Sequence, residues 1–266
     1  MNRLPFLAVA FLAVLAGPAA VQADVWDTST DNDDNSGTDN ELIHGSTQVH
    51  DLGVRPGNVA DQDWYRIGQK PHSSYEVVLD GTTGDITFSP NMLQRVNNSG
   101  TTVLQNSVGV APGLEYSRTL RWANTTTALV NNEYVRVAFA ACGTACTVDD
   151  TYHIRARETT IGVARFNATG TQATVVLTQN VSDAPVDASL FFWSASGALL
   201  HTQTIAGLQE KSLNAFNVGT VPALAGQSGH LTIAHSGSHG ALNVKAVALE
   251  PATGFSFDTP GVYRQY

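Results

Sequence analysis

Two acidic clusters have the spacing to hold a cation. Asp61 and Asp63 flank Gln62 directly before Trp64-Tyr65. Asp31-x-Asp33-x-Asn35 lies inside residues 24–41, a stretch with seven carboxylates and no Lys or Arg. Oxygens on alternate residues suit calcium, which takes roughly six to eight ligands from carboxylates and amide carbonyls. The stretch is not an EF-hand, because Gly37 falls one place late and no Glu closes the loop. Two readings therefore stand for Asp31, Asp33 and Asn35: calcium ligands, or part of a solvated Asp/Asn/Ser/Gly linker. Asp61 and Asp63 face the same choice between binding calcium and capping a turn ahead of a strand.

The remaining reactive residue types point to structure rather than reaction. Cys142 and Cys146 enclose only Gly-Thr-Ala. In an oxidising compartment that spacing reads as a disulfide, because redox pairs favour two intervening residues and no second pair completes a zinc tetrahedron. Such a short loop restricts the unfolded chain by about 2 kcal/mol. His235-Ser236-Gly237-Ser238-His239 reads as an exposed hairpin turn carrying histidines. The chain has no nucleophile elbow, zinc-protease helix motif, phosphate loop or dinucleotide glycine pattern. Of its four Trp residues, Trp64 and Trp193 sit in strand patterns. Trp122, after Arg118-Thr119-Leu120-Arg121, is the one suited to contact a ligand such as a sugar ring.

The elements that would position these residues are strands. Tyr75, Val77 and Leu79 share one face by period two, and Val175/Leu177, Leu190/Phe192, Leu231/Ile233 and Phe255/Phe257 repeat that spacing. Turn residues recur between them at Asp80-Gly81, Asn98-Ser99-Gly100, Ser182-Asp183-Ala184-Pro185 and Ser196-Gly197. No apolar stripe of helical period is sustained. The pattern predicts an all-β chain of antiparallel sandwiches. Tyr134–Phe139 and Tyr152–Arg157 both alternate around the cysteines, which predicts a hairpin stapled at its neck.

Arg3, the apolar run from Phe6 to Ala16 and Val21-Gln22-Ala23 form an export signal, with cleavage expected after Ala23. The run is shorter than the ~20 residues that span a bilayer. A secreted or periplasmic location follows, without membrane insertion. The 266-residue chain carries a net charge of −9, and cleavage removes one of its 14 basic residues. That balance excludes nucleic acid, whose counterions only clustered Lys and Arg displace.

The acidic lead-in 24–41 reaches Asn40-Glu41-Leu42, and residues 42–158 then carry His50-Asp51-Leu52, Asp61-Gln62-Asp63-Trp64-Tyr65 and the aromatic-led strand Tyr75-Glu76-Val77-Val78. This resembles the bacterial pre-peptidase C-terminal domain, through its D-x-D-x-Y element and following Y-x-V strand. The resemblance implies a jelly-roll-like sandwich, calcium held by acidic residues near its amino end, and a role in substrate adhesion. The chain departs from that setting in carrying no peptidase domain. Residues 159–266 resemble an immunoglobulin-like domain of exported bacterial proteins, through Gln179–Val186, Phe191-Phe192-Trp193 and Ala246–Asp258. Asn97, Asn124, Asn167 and Asn180 begin N-glycosylation acceptor sequences, which in a bacterial chain read as incidental. The resulting expectation is an exported, non-catalytic binding protein for an extracellular polymer or protein, stabilised by calcium. The alternatives are a structural envelope or matrix component and, third, a secreted hydrolase.

Overall fold

The computed structural model describes residues 26, 33–53, 61–81, 91–109, 117–138 and 150–264. Among them the chain is all-β and antiparallel, with two short 3-10 turns at Val218–Thr220 and Pro222–Leu224. The first nine strands are β1 (Thr47–Asp51), β2 (Gln62–Gln69), β3 (Ser73–Gly81), β4 (Leu93–Val96), β5 (Val103–Asn106), β6 (Val108–Gly109), β7 (Ser117–Asn124), β8 (Val130–Ala138) and β9 (Thr151–Glu158). They form a five-stranded sheet of order β1-β9-β3-β7-β6 and a four-stranded sheet of order β2-β8-β4-β5. Alternation supplies the core between them. Tyr75, Val77, Leu79, Leu120, Tyr152 and Ile154 come from the first sheet, and Tyr65, Ile67, Leu93, Val135 and Val137 from the second.

A separate core is built from β10 (Ile161–Asn167), β11 (Ala173–Asn180), β12 (Val186–Ser194), β13 (Leu199–Leu208), β14 (Leu213–Asn217), β15 (Ser228–His235), β16 (Leu242–Glu250) and β17 (Phe255–Tyr263). Their order is β13-β12-β15-β10-β17-β16-β11-β14. β17 makes both halves continuous. Its first part pairs with β16 and its last three residues with β10, so one strand serves two layers. Leu190, Phe192, Leu231 and Ile233 fill this core as their spacing requires. In β11 the buried face is Thr174, Val176 and Thr178, while Val175 and Leu177 lie half-buried on the other. Phe255 (74 % exposed) and Phe257 stand where β17 runs past the core, so their period-two spacing does not mark burial.

Two expected hairpins are not hairpins. β8 pairs with β2 and β4, whereas β9 pairs with β1 and β3, so these consecutive strands lie in opposite sheets. Their apolar faces meet across the core rather than lying side by side, and the connection crosses from sheet to sheet. Cys142 and Cys146 fall in that connection, outside the described residues. Likewise 236–241 joins β15 to β16, which are not neighbours in the sheet order. His235 is buried there, not exposed, and its Nδ1 accepts from Gly237 N at 3.1 Å.

The two cores meet at a polar seam. Ser74 N donates to Thr160 Oγ1 (3.0 Å), Thr159 N to Ser74 O (2.7 Å) and Arg264 Nη1 to Ser73 Oγ (3.1 Å). The buried Glu158 carboxylate lies between Lys70 Nζ (3.4 Å) and Arg264 Nη1 (3.2 Å). Glu76 accepts from Arg121 Nε (2.8 Å) and from His239 N (3.1 Å). His72, in the left-handed region at φ 50°, packs its ring 4.4 Å from Phe191 and 5.1 Å from Trp193.

Candidate functional site

The inward face of β2 continues Ile67, Tyr65, Asp63 toward the amino end of the strand, so alternation itself carries a carboxylate into the first sandwich. β1 supplies the second group. In the β1–β9 register His50 stands opposite Tyr152, whose side chain faces the same interior. The third comes from the acidic lead-in. Residues 33–42 lie along β2, with Trp64 N donating to Asp33 O (2.7 Å), Arg66 N to Asn40 O (2.8 Å) and Leu42 N to Arg66 O (3.0 Å). This part of the lead-in is therefore no solvated linker.

Asp33, His50 and Asp63 converge, each buried, with one ligand atom apiece inside a 4.8 Å span. His50 Nδ1 lies 3.8 Å from Asp33 Oδ2 and 3.8 Å from Asp63 Oδ1. Asp63 Oδ2 accepts from the Tyr152 hydroxyl, which also bonds the Tyr65 hydroxyl at 2.7 Å. Burial first, and the Asp63 charge second, push the Tyr152 hydroxyl well above its ordinary pKa, which keeps it a donor. The His50 ring stacks on Tyr152 at 5.8 Å and meets Tyr65 edge-on at 5.0 Å. Asn40 Nδ2 donates to Asp33 Oδ2 at 3.1 Å. Burying carboxylates is costly unless they are hydrogen-bonded and balanced by positive charge. A metal ion held among Asp33, His50 and Asp63 would add to that balance.

The other expected site residues are placed as follows. Asp61 is wholly buried two residues before Asp63, and its Oδ1 accepts from Gln62 N at 3.0 Å. Asn35 is exposed, and its Oδ1 is taken by Gly37 N at 2.8 Å in a turn. Asp31 lies outside the described residues. Trp122 is corrected from a surface contact to a core residue. It is 6 % exposed, stacks on Tyr75 at 5.7 Å, carries Arg95 over its ring at 5.1 Å and donates Nε1 to Gln69 Oε1 at 2.8 Å. Neither ring face is open for a sugar. His50 is the member of the centre that sequence reasoning missed, since a single His in a strand carries no motif.

Calcium, which the resemblance implies here, meets a donor set that is only partly suited to it. Asp33 and Asp63 offer the required oxygens, but His50 presents a ring nitrogen, and calcium sites are built from oxygen. A second concave feature lies at the seam. It is a cleft of about 750 Å³ lined by Arg121, Asp183, Pro185, Ser236, Ser238 and His239. No protein-family model matches this chain, and no curated protein matches it.

Proposed function

We infer that the protein is an exported, non-catalytic binding protein whose two sandwiches act as one body to hold an extracellular polymer or protein. The seam cleft carries this reading. Both units contribute to it, and the contacts of Glu76, Glu158 and Arg264 across the seam hold its walls together. Its lining of Ser hydroxyls, backbone groups, one Arg, one Asp and one His suits a polar chain lying across the surface. The likeness of the Asp61–Tyr65 element to adhesive pre-peptidase C-terminal domains supports the same role. Retention on insoluble collagen, cellulose or chitin tests it. Retention on one of these, weakened by Arg121→Glu, is expected; no retention on any would remove the reading.

A structural envelope or matrix role is the second reading, favoured by the apolar groups on the second unit. Phe255, Val262 and Leu213 stand exposed on β17 and on the outermost strand β14. Unpaired strand edges bearing apolar side chains promote association between copies. Concentration-dependent assembly in sedimentation, lost in Phe255→Ser, would favour this reading over the first.

A further inference from the structure

We propose that the Asp33–His50–Asp63 centre binds a first-row transition dication through His50 Nδ1, rather than the calcium that the family resemblance implies. The proposal rests on the centre being a cation site at all, and its test separates the two questions.

The tautomer of His50 is set from outside the centre. Gln48 Nε2 donates to Glu41 O at 2.9 Å, which fixes the Gln48 amide so that its oxygen faces the imidazole. Gln48 Oε1 lies 2.9 Å from His50 Nε2. An amide oxygen can only accept, so Nε2 carries the hydrogen and donates. A neutral His50 then turns the lone pair of Nδ1 toward Asp33 and Asp63. Metal-bound histidines are oriented in this way, with the distal ring N–H held by an oxygen acceptor.

Asn40 is an independent observation. It is wholly buried, its Nδ2 touches Asp33 Oδ2, and among the described residues its Oδ1 has no hydrogen-bond donor. The amide turns its NH₂ to Asp33, and its oxygen is a buried acceptor beside the centre with its hydrogen-bonding capacity unmet.

Three ligand atoms within 4.8 Å of one another can share one ion at ordinary metal–ligand distances, so spacing alone does not choose between calcium and a transition ion. The nitrogen decides between them. Imidazole suits iron, nickel, copper and zinc, carboxylates suit manganese, and calcium gains little from a ring nitrogen. A mixed Asp₂His set therefore fits Mn²⁺, Fe²⁺ or Zn²⁺.

The test uses the exported chain with Mn²⁺, Zn²⁺ and Ca²⁺, each titrated into metal-free protein while thermal unfolding and heat of binding are followed. Expected is stabilisation by Mn²⁺ and Zn²⁺ at concentrations on the order of a hundredfold below those at which Ca²⁺ acts. The Mn²⁺ complex should also show electron spin-echo modulation from a directly bound ¹⁴N. That signal needs no variant, so it stands even if His50→Gln fails to fold. Where the variant folds, it should lose the ¹⁴N signal and the transition-metal preference, whereas His239→Gln should keep both. Stabilisation by Ca²⁺ as strong as by Mn²⁺, or Mn²⁺ binding without ¹⁴N modulation, would overturn the proposal and leave the cation site standing. Preference unchanged in His50→Gln would place the ion elsewhere and overturn it too. No binding of any of the three would overturn both the proposal and the cation reading.

Discussion

Asn180 closes β11 with a device whose cost of removal follows from its geometry. The side chain is wholly buried. Its Nδ2 donates to Ala184 O (2.7 Å) and Leu208 O (2.9 Å), and its Oδ1 accepts from Ser182 N (2.9 Å) and Ser182 Oγ (2.7 Å). Asn180→Ala deletes all four bonds. Ala184 O keeps the Ser182 hydroxyl at 3.0 Å, so the main loss falls on Leu208 O and on the Ser182 amide. At about 1 kcal/mol net per hydrogen bond, the variant should lose ~3 kcal/mol. Ser182→Ala removes only the hydroxyl contacts and should cost ~1 kcal/mol. Asn180→Asp should be worse than Ser182→Ala, because a carboxylate would face two carbonyl oxygens where the amide donated. Urea unfolding followed by circular dichroism measures all three, with an unchanged slope showing that stability alone has moved. A loss below ~1 kcal/mol for Asn180→Ala, or equal losses for Asn180→Ala and Ser182→Ala, would refute the assignment of the turn to the amide. The same geometry recurs in the first unit, where Asn124 Nδ2 donates to Ala128 O (2.9 Å) and its Oδ1 accepts from Thr126 N (3.1 Å). The acceptor sequences at Asn124, Asn167 and Asn180 are in this structure strand-closing turns, with each amide used inside the fold.

Three further outcomes are expected. Burial holds the His235 imidazole at about 4, below its ordinary 6.5, against the opposing pull of the Thr159 backbone and Glu76. The unfolded chain binds a proton that the folded chain refuses, so stability is full above pH 6.5 and falls as pH descends toward 4, by ~3 kcal/mol. His235→Asn keeps an acceptor for Gly237 N and should flatten that slope between pH 7 and 4.5; an identical slope would show that other groups set the acid response. Gly100 adopts φ 69°, and a Cβ there would lie 2.6 Å from Trp64 Cη2, so Gly100→Ala should cost ~2 kcal/mol by strain and displaced packing. A neutral result would mean that Trp64 moves aside freely. Glu158→Gln leaves Lys70 and Arg264 facing an uncharged amide at the seam. It should cost ~2 kcal/mol, less than a fully buried pair because both cations are partly exposed, and should speed amide exchange at Ser74 and Thr159. Exchange unchanged there would mean that the carboxylate does not hold the seam.

Period two made the all-β fold legible, because a sandwich must turn alternate side chains inward and this chain marks them with Tyr, Val, Leu and Ile. It could not say which strands pair. The alternation of β8 and β9 is the same whether they lie side by side or face each other across a core. The connection crosses because Val135 and Val137 need Tyr152 and Ile154 opposite them, not beside them. Phe255 and Phe257 failed for the converse reason. Alternation reports that a strand has two faces, but not how far the core extends along it.

The candidate centre divides along the same line. Asp63 was readable because its D-x-D-x-Y element places acid and aromatic on one face of a single strand, and Asp33 because carboxylates crowd the lead-in. His50 belongs to a third segment, and what makes it chemical is its register against Tyr152 together with the Gln48–Glu41 contact that orients its ring. Neither is a property of neighbouring residues. A short motif can name the oxygens a strand offers to a cation. The ring nitrogen that stands beside them comes from a strand in the other sheet, and only the folded chain brings the two together.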